Sequence, residues 1–266
     1  MALLLAAGPT HASPALLPSS FSMYCVAWSY AEWLRGRTAA SITAGALAVL
    51  LGWPFCALLF VPMGLHMLVG AGGHSTFNVL AAGAGASAAI LGASVAVDWF
   101  MYGKPLLAVV NIILYNALGV GGDGQGSDLY GVEPPEWYLL NCLLNFGLWL
   151  PLLLMSPVLV LGRGIVRGAE GGRIMWAMLL VLPAVGWLVF MSGRAHKEER
   201  FLFPAYPLMA AAAGASLAEV WSLIEYSLDG CVAVTGQAGE AHGVDAGNNG
   251  MKKHDGATSL DGTSGE

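Results

Sequence analysis

The feature that most constrains this chain is a short charged segment enclosed by two strongly apolar ones. Residues 194–200, here called the charged segment, hold five charged side chains and a histidine, and they lie between apolar segments 174–192 and 201–224. At a bilayer centre each Lys, Arg or Asp costs roughly 2.5–3.5 kcal/mol, so five charges would cost on the order of 12–18 kcal/mol. The charged segment therefore belongs at a membrane surface or in a wet cavity within the protein.

The composition places the whole chain in the same class. Hydrophobic residues make up 56% of it and charged residues 11%, whereas ordinary globular chains carry about 25% charge. Long apolar runs recur, which predicts an all-α, polytopic membrane protein. Residues 225–266 hold seven acidic and two basic side chains, so they carry −5 of the net charge of −6, and residues 1–224 carry −1. With no basic surface, nucleic-acid binding is not expected.

The apolar runs suggest two regions with different properties. Residues 1–224 form the multi-span region, and the polar, Gly-rich residues 225–266 are predicted to be a disordered tail. Four cysteines in this chain show no metal-type spacing, so we expect neither a metal site nor disulfides. The predicted spans are 75–97, 137–161, 174–192 and 201–224, with 21–34 as a marginal span, 39–69 as one kinked helix or a re-entrant pair, and 106–120 as an interfacial or re-entrant segment.

Arginines between two of these spans orient the chain. Arg163, Arg167 and Arg173 lie in or beside a short loop that contains a single acid, Glu170, and such loops face the cytosol. Alternation of the spans then puts residues 121–136 and the charged segment together on the opposite side of the membrane.

Several segments of the chain carry a family resemblance. Residues 196–208 form the string HKEERFLFPAYPL, which resembles the signature of the membrane mannosyltransferases that use dolichyl-phosphate mannose. Within that family, the resemblance is greatest to the α-1,2-mannosyltransferases of lipid-linked oligosaccharide assembly. Residues 17–24, Trp53 with Pro54, residues 128–134 and residues 137–146 resemble the same enzymes.

The resemblance carries expectations about fold and activity. It implies part of the helical C-type glycosyltransferase fold, in a multi-pass protein of the endoplasmic-reticulum membrane that acts in N-glycosylation. It also implies a glycosyltransferase that moves mannose from dolichyl-phosphate mannose to a lipid-linked oligosaccharide, by one displacement that inverts the sugar. The partners expected are this donor, the oligosaccharide acceptor and membrane lipid, with no cofactor and no metal.

The same resemblance suggests which side chains bind substrate. Cations can hold the leaving phosphate of the donor, while an alternative is that Glu198 and Glu199 pair with those cations and merely orient the segment. Asparagines in apolar segments (Asn111, Asn116, Asn141 and Asn145) are expected to join helices to one another. The candidate substrate-binding residues are His196, Lys197, Glu198, Glu199 and Arg200, with Tyr102, Lys104 and Tyr130.

The catalytic base is not identified by the sequence. A carboxylate must take the proton of the acceptor hydroxyl, and the resemblance implies an acid in the first luminal loop. Because residues 17–24 resemble a segment well inside the family's enzymes, we expect that loop to lie outside this chain and the chain alone to be inactive. Asp98 and Glu133 are the weaker candidates within it.

Other functions remain open at this point. A non-catalytic fragment or paralogue could keep the membrane scaffold, and a family member could make another linkage on N-glycan or glycolipid-anchor precursors. A transporter would also place charge in a membrane protein, but its charges would be spread along helix interiors and not gathered in one segment.

We expect cysteines placed at Gln125 and Ala195 to be protected from an impermeant thiol reagent in sealed microsomes, since both positions are predicted to face the lumen. A cysteine at Gly172, on the predicted cytosolic side, serves as the control and should be labelled. Labelling at Gln125 or Ala195 from outside the vesicles would contradict the predicted topology.

Overall fold

The computed structural model describes residues 6–70, 73, 75–118, 131–167 and 171–244. These described residues form helices, turns and loops without a β-strand, so the predicted all-α class is confirmed. A π-helical turn (Ala48–Gly52) and three 3₁₀ turns (Pro54–Phe60, Glu199–Phe201 and Phe203–Ala205) accompany the α-helices. The α-helices are α1 (Ala7–Ala12), α2 (Pro18–Leu34), α3 (Thr38–Leu47), α4 (Val61–Leu68), α5 (Thr76–Tyr102), α6 (Ala108–Leu118), α7 (Trp137–Phe146), α8 (Trp149–Arg167), α9 (Gly171–Ser192) and α10 (Tyr206–Val244).

Two helical segments of the described chain are long and apolar enough to cross a membrane. They are α5, with 27 residues, and the 30 residues Glu199–Leu228. The pair α7 and α8 passes the same test only when it is counted as one span, and it is bent by 109° at its break. Helix α6 has 11 residues, about 16 Å at 1.5 Å per residue, which is too short to cross alone.

The bend between α7 and α8 falls inside the span predicted over residues 137–161. Gly147 ends α7 with a φ of 53°, a left-handed conformation that glycine adopts at little cost. The chain can therefore reverse direction at this point, which sequence hydropathy alone does not show.

The apolar run 39–69 is also interrupted, in this case at Trp53. This residue is extended, with φ −125° and ψ 113°, as expected for a residue that precedes a proline. The run divides there into two shorter apolar helical segments, Thr38–Gly52 and Pro54–Leu68.

Helix α2, predicted as a marginal span, is a central packing element. It contacts α3, the π-helical turn and the 3₁₀ turn Phe203–Ala205. Three of its four buried serines donate to backbone carbonyls of neighbouring segments: Ser20 Oγ to Ala12 O at 2.9 Å, Ser22 Oγ to Ala48 O at 2.9 Å and Ser29 Oγ to Ser41 O at 2.8 Å. Hydroxyl groups that would be unfavourable in lipid are thus satisfied inside the protein.

The end of α2 neutralises its one buried acid. Glu32 is 6% exposed, and its two carboxylate oxygens accept from Arg35 Nη1 at 2.9 Å and Arg37 Nη1 at 3.3 Å. The sequence places Glu32 beside these arginines, and the structure confirms that they pair.

Buried free cysteines support the interpretation of these residues as small core residues. Cys25, Cys56 and Cys142 are buried and unbridged in the described part of the chain.

The described residues divide into two units, one ending at Val220 and the other beginning at Trp221. Helix α10 continues past residue 224 to Val244, so residues 225–244 of the predicted tail are helical. Residues 245–266 lie outside the described residues, and their disorder stays a prediction.

The π-helical turn and α2 approach each other closely at Gly52. A Cβ at this position would lie 2.2 Å from Ser22 Oγ and 3.2 Å from the carbonyl oxygen of Pro18. Ser22 Oγ also accepts from the backbone N–H of Trp53 at 2.7 Å, so it holds the chain where the helical run is broken.

We predict that Gly52→Ala destabilises the protein by about 1–3 kcal/mol, because the new methyl group displaces Ser22 from its two hydrogen bonds. Thermal unfolding of the detergent-solubilised protein should show a lower Tm. Gly64→Ala is the matched control: it lies inside α4 with nothing within 4 Å of the added Cβ, and alanine favours a helix by about 1 kcal/mol over glycine. Equal Tm values for the two variants would contradict the packing at Gly52.

Candidate functional site

The charged segment joins α9 to α10 through two short 3₁₀ turns. Trp187, in the last part of α9, donates its indole N–H to the carbonyl oxygen of Phe201 at 3.0 Å. Trp53 stacks on the Phe201 ring, with ring centroids 5.0 Å apart and an interplanar angle of 18°, and it meets Trp187 edge-on at 5.8 Å. Phe201, the residue that follows the charges, is therefore held by its ring and by its backbone, which fixes the end of the charged segment.

Lys197 is buried and connects two polar segments of the chain. Only 6% of the residue is exposed. Its ammonium donates to the carbonyl oxygens of Glu133, at 2.7 Å, and of Arg194. The backbone N–H of Glu133 donates in turn to the carbonyl oxygen of Ala195 at 3.0 Å. Residues around Glu133 are thus held against the charged segment, which agrees with the predicted placement of both on one side of the membrane.

His196 lies between two acceptors. Its Nδ1 is 3.2 Å from the carbonyl oxygen of Gly131, and its Nε2 is 3.0 Å from Glu198 Oε1. A carbonyl and an ionised carboxylate only accept hydrogen bonds, and a neutral imidazole has one N–H. A neutral ring can therefore donate to only one of the two acceptors, and a doubly protonated ring to both.

Glu198 is the centre of the ion pairs in the charged segment. Arg200 binds it in a bidentate manner, with Nη2 2.8 Å from Oε1 and Nε 2.5 Å from Oε2. Partial burial alone would raise the pKa of the Glu198 carboxyl. The hydrogen bonds and charges of Arg200 and His196 outweigh that effect, so the pKa is lowered. The alternative stated above, that Glu198 and Glu199 pair with the cations and orient the segment, describes the pairing seen at Glu198.

Helix α7 binds two residues of the charged segment. The hydroxyl of Tyr138, which is fully buried, donates to the carbonyl oxygen of Glu198 at 3.0 Å and accepts from the Glu198 N–H at 3.3 Å. Seven positions further along α7, Asn145 Nδ2 donates to Glu199 Oε1 at 3.1 Å. Glu199 therefore faces α7, and Glu198 faces the cations.

Sequence reasoning did not assign these α7 residues to the site and expected Asn145 only to join helices. A signal for them was present, because positions 138, 141, 142 and 145 follow the i, i+3, i+4, i+7 spacing of a single helix face. Three of the four residues there are polar or can form hydrogen bonds, namely Tyr138, Asn141 and Asn145.

The remaining candidates from the sequence are not joined to the charged segment in the same way. Asp98 and Tyr102 lie in the last turns of α5, and Lys104 follows that helix. Among the described residues none of these three makes a hydrogen bond or ion pair with the charged segment, and α5 packs mainly against α3. Their proposed roles stay predictions. Tyr130 lies outside the described residues.

Glu133 contacts the charged segment through its backbone, and the residue itself is exposed. Of the two carboxylates predicted as weak candidates for the base, it is the one beside the cations. The described residues contain no group of three or more His, Cys, Asp or Glu side chains arranged to hold a metal.

A cavity of about 600 Å³ lies elsewhere in the fold, between α3, α4 and α5. Its walls are mostly apolar, with the hydroxyl groups of Ser29, Ser41 and Ser87 among them, and no residue of the charged segment lines it. Among the described residues, this cavity and the charged segment are therefore separate features.

Comparison with known proteins agrees with these features. Residues 1–238 match the model of the Alg9-like mannosyltransferase family. The chain is 35% identical to Alpha-1,2-mannosyltransferase Alg9 of Drosophila melanogaster over 231 residues, which are 86% of this chain and 36% of that protein. It is 36% identical to Alpha-1,2-mannosyltransferase ALG9 of Arabidopsis thaliana over 82% of this chain and 36% of that protein.

The corresponding protein of Saccharomyces cerevisiae, Alpha-1,2-mannosyltransferase ALG9, is 33% identical over 80% of this chain and 37% of its own length. The chain thus spans somewhat more than a third of the length of these curated relatives. No solved structure matches it. The family match extends through nearly all of the described helices and includes the charged segment, and the chain therefore belongs to the Alg9-like mannosyltransferase family.

Proposed function

We propose that this chain takes part in the transfer of mannose from dolichyl-phosphate mannose to a lipid-linked oligosaccharide, forming an α-1,2 linkage in N-glycan assembly. The observation that carries the proposal is the charged segment, in which Lys197, Arg200 and His196 lie close together after α9 within the family's sequence. Relatives named as α-1,2-mannosyltransferases support the linkage. Because substrates of this kind are held in a lipid bilayer, we place the protein in the endoplasmic-reticulum membrane as a multi-pass protein.

Arg200, Lys197 and His196 are suited to different tasks in this reaction. Arg200 is the most accessible, with 46% of its side chain exposed, and its bidentate pairing with Glu198 fixes the plane of the guanidinium. A guanidinium carries five N–H donors and Glu198 engages two of its nitrogens, so donors remain for a phosphate oxygen. In the proposed reaction Arg200 binds the leaving dolichyl phosphate.

Lys197 and His196 contribute chiefly by holding that cation in place. The Lys197 ammonium has three N–H donors, and two of them are used by carbonyl oxygens. The His196 ring orients Glu198, which orients Arg200. Together these side chains keep positive charge at the site where negative charge develops on the leaving phosphate, which is the electrostatic arrangement that favours the transition state.

The proton of the acceptor hydroxyl must pass to a base in this mechanism. Among the carboxylates predicted from the sequence, Glu133 lies beside the charged segment, and we propose it ahead of Asp98. The proposal requires dolichyl-phosphate mannose as the donor substrate and no further cofactor.

The native protein that carries residues 1–266 should transfer labelled mannose from dolichyl-phosphate mannose to a lipid-linked oligosaccharide. An α-1,2-specific mannosidase should then release the label. The matched control is a chimera in which residues 1–238 replace the aligned segment of the Saccharomyces cerevisiae relative. It is expressed in yeast cells that lack that relative, and the same product is measured. Label that resists the α-1,2 enzyme would contradict the linkage, and no transfer by either protein at normal expression would contradict the function.

Arg200→Ala should lower kcat/KM by at least about tenfold, equivalent to about 1.4 kcal/mol of transition-state binding, because the proposed phosphate contact is lost. Arg200→Lys should restore activity only in part, since an ammonium cannot reproduce the two-nitrogen contact with Glu198. Arg194→Ala is the matched control: this arginine is exposed and forms no ion pair within the described residues, so its loss should change kcat/KM by about twofold or less. Equal effects at the two arginines would refute the assignment.

A further inference from the structure

The adjacent glutamates of the charged segment have different surroundings. Both oxygens of Glu198 are occupied by His196 and Arg200. Glu199 turns to the opposite side, where its Oε1 accepts from Asn145, and it has no cationic partner among the residues that the structure describes. The segment therefore carries one carboxylate that is neutralised and one that is not.

The amide of Asn145 fixes which atoms around Glu199 remain available. Its Nδ2 donates to Asn141 Oδ1 and to Glu199 Oε1, each at 3.1 Å. Because a carboxylate only accepts, the NH₂ end of the amide must face Glu199. In the described part of the chain, Glu199 Oε2, Asn145 Oδ1 and Asn141 Nδ2 are then left without a partner. The three residues are partly exposed, so a ligand can reach them.

The hydroxyl of Tyr206 is a second, independent indication of a ligand. Tyr206 is fully buried at the start of α10, and its hydroxyl has no hydrogen-bond partner among the described residues. The ring carbon that bears it lies near Asn145, since a Cβ on Gly8 would be 3.3 Å from Tyr206 Cζ and 2.9 Å from Asn145 Cβ. Buried hydroxyl groups are nearly always hydrogen-bonded, so an orphan at this position needs an explanation.

Close packing holds the Tyr206 ring in this position. The ring of Phe146 meets it edge-on at 5.1 Å, and Phe203 packs at 5.5 Å. On the other side α1 approaches so closely that a Cβ on Gly8 would lie 3.1 Å from the ring and 2.9 Å from Asn145 Cβ. The ring is therefore held by the fold on the side of Asn145, the residue whose amide binds Glu199.

We propose that Glu199, Asn145, Asn141 and Tyr206 form a subsite for the hydroxyl groups of a mannosyl residue; this rests on the function proposed above. The set offers two acceptors, an amide donor and a hydroxyl that can do either, and sugar hydroxyls both donate and accept. The unneutralised carboxylate repels a phosphate, so this ligand is the neutral part of a substrate. The mannosyl residue belongs either to the donor or to the acceptor glycan.

Two substitutions in the native protein test the subsite by separating binding from stability. Glu199→Gln keeps an acceptor for Asn145 but removes the charge, and it should raise the KM for one mannosyl substrate at least about tenfold with an unchanged Tm. A rise for dolichyl-phosphate mannose assigns the subsite to the donor sugar, and a rise for the lipid-linked oligosaccharide assigns it to the acceptor. Glu136→Gln, at an exposed position just before α7, is the matched control and should leave both KM values unchanged.

Tyr206→Phe gives a signature that a structural role would not. If the hydroxyl is without a partner until the sugar binds, its removal should leave Tm unchanged or higher and raise the same KM that Glu199→Gln raises, by about threefold or more. A lower Tm with unchanged KM would show that the hydroxyl serves the fold, and would overturn the subsite. Unchanged KM values in both variants would overturn it as well.

Direct binding distinguishes failure of the subsite from failure of the proposed reaction. Saturation-transfer NMR with methyl α-mannopyranoside at about 10 mM, suited to a weak ligand, should give a signal with wild type and Glu136→Gln and a much weaker one with Glu199→Gln. If this pattern appears in a protein without transferase activity, the subsite stands and the proposed function falls. If the protein is an active transferase and wild type and Glu199→Gln give the same signal, or wild type gives none, the subsite falls alone.

Discussion

The buried ammonium of Lys197 is the interaction on which the rest of the site depends. It holds the carbonyl oxygens of Glu133 and Arg194 together, and a backbone hydrogen bond between Glu133 and Ala195 closes the same junction. In an apolar chain, polar backbone groups away from water must find partners within the protein. A lysine that bridges two carbonyl oxygens satisfies them and brings positive charge into the site at the same time. Lys197 therefore both stabilises the local backbone structure and supplies charge to the site.

The same requirement explains the serines of α2. This helix contains too many hydroxyl groups for a span exposed to lipid, and it is packed between α3 and the turn that follows the charged segment. Ser22 donates to Ala48 and accepts from Trp53, and Trp53 in turn stacks on Phe201. A chain of contacts thus runs from the interior of α2 to the base of the charged segment. These helices are part of the helical C-type glycosyltransferase fold of the family.

Sequence alone predicts the helical class, the membrane character and the charged segment, because hydropathy and charge are properties of consecutive residues. The short α6 and the interruption at Trp53 also follow from local signals, an apolar stretch of limited length and a residue before proline. The 109° bend after Gly147 and the carbonyl partners of Lys197 do not. They depend on which distant segments meet, as when Glu133 reaches a lysine 64 positions further along the chain, and spacing within a segment carries no such information.

Helix α7 fixes two consecutive glutamates of the charged segment in different surroundings. Tyr138 holds the backbone of Glu198, whereas Asn145 holds the side chain of Glu199, and the two lie seven positions apart, about 10 Å along the helix axis. Glu198 is extended and Glu199 begins a 3₁₀ turn, and with both residues fixed from one helix, the Glu198 side chain pairs with His196 and Arg200 while that of Glu199 binds the Asn145 amide. In the proposed transfer this separation matters because the charge of Glu198 is offset by Arg200, whereas the unpaired carboxylate of Glu199 would repel the donor phosphate if it stood beside that arginine.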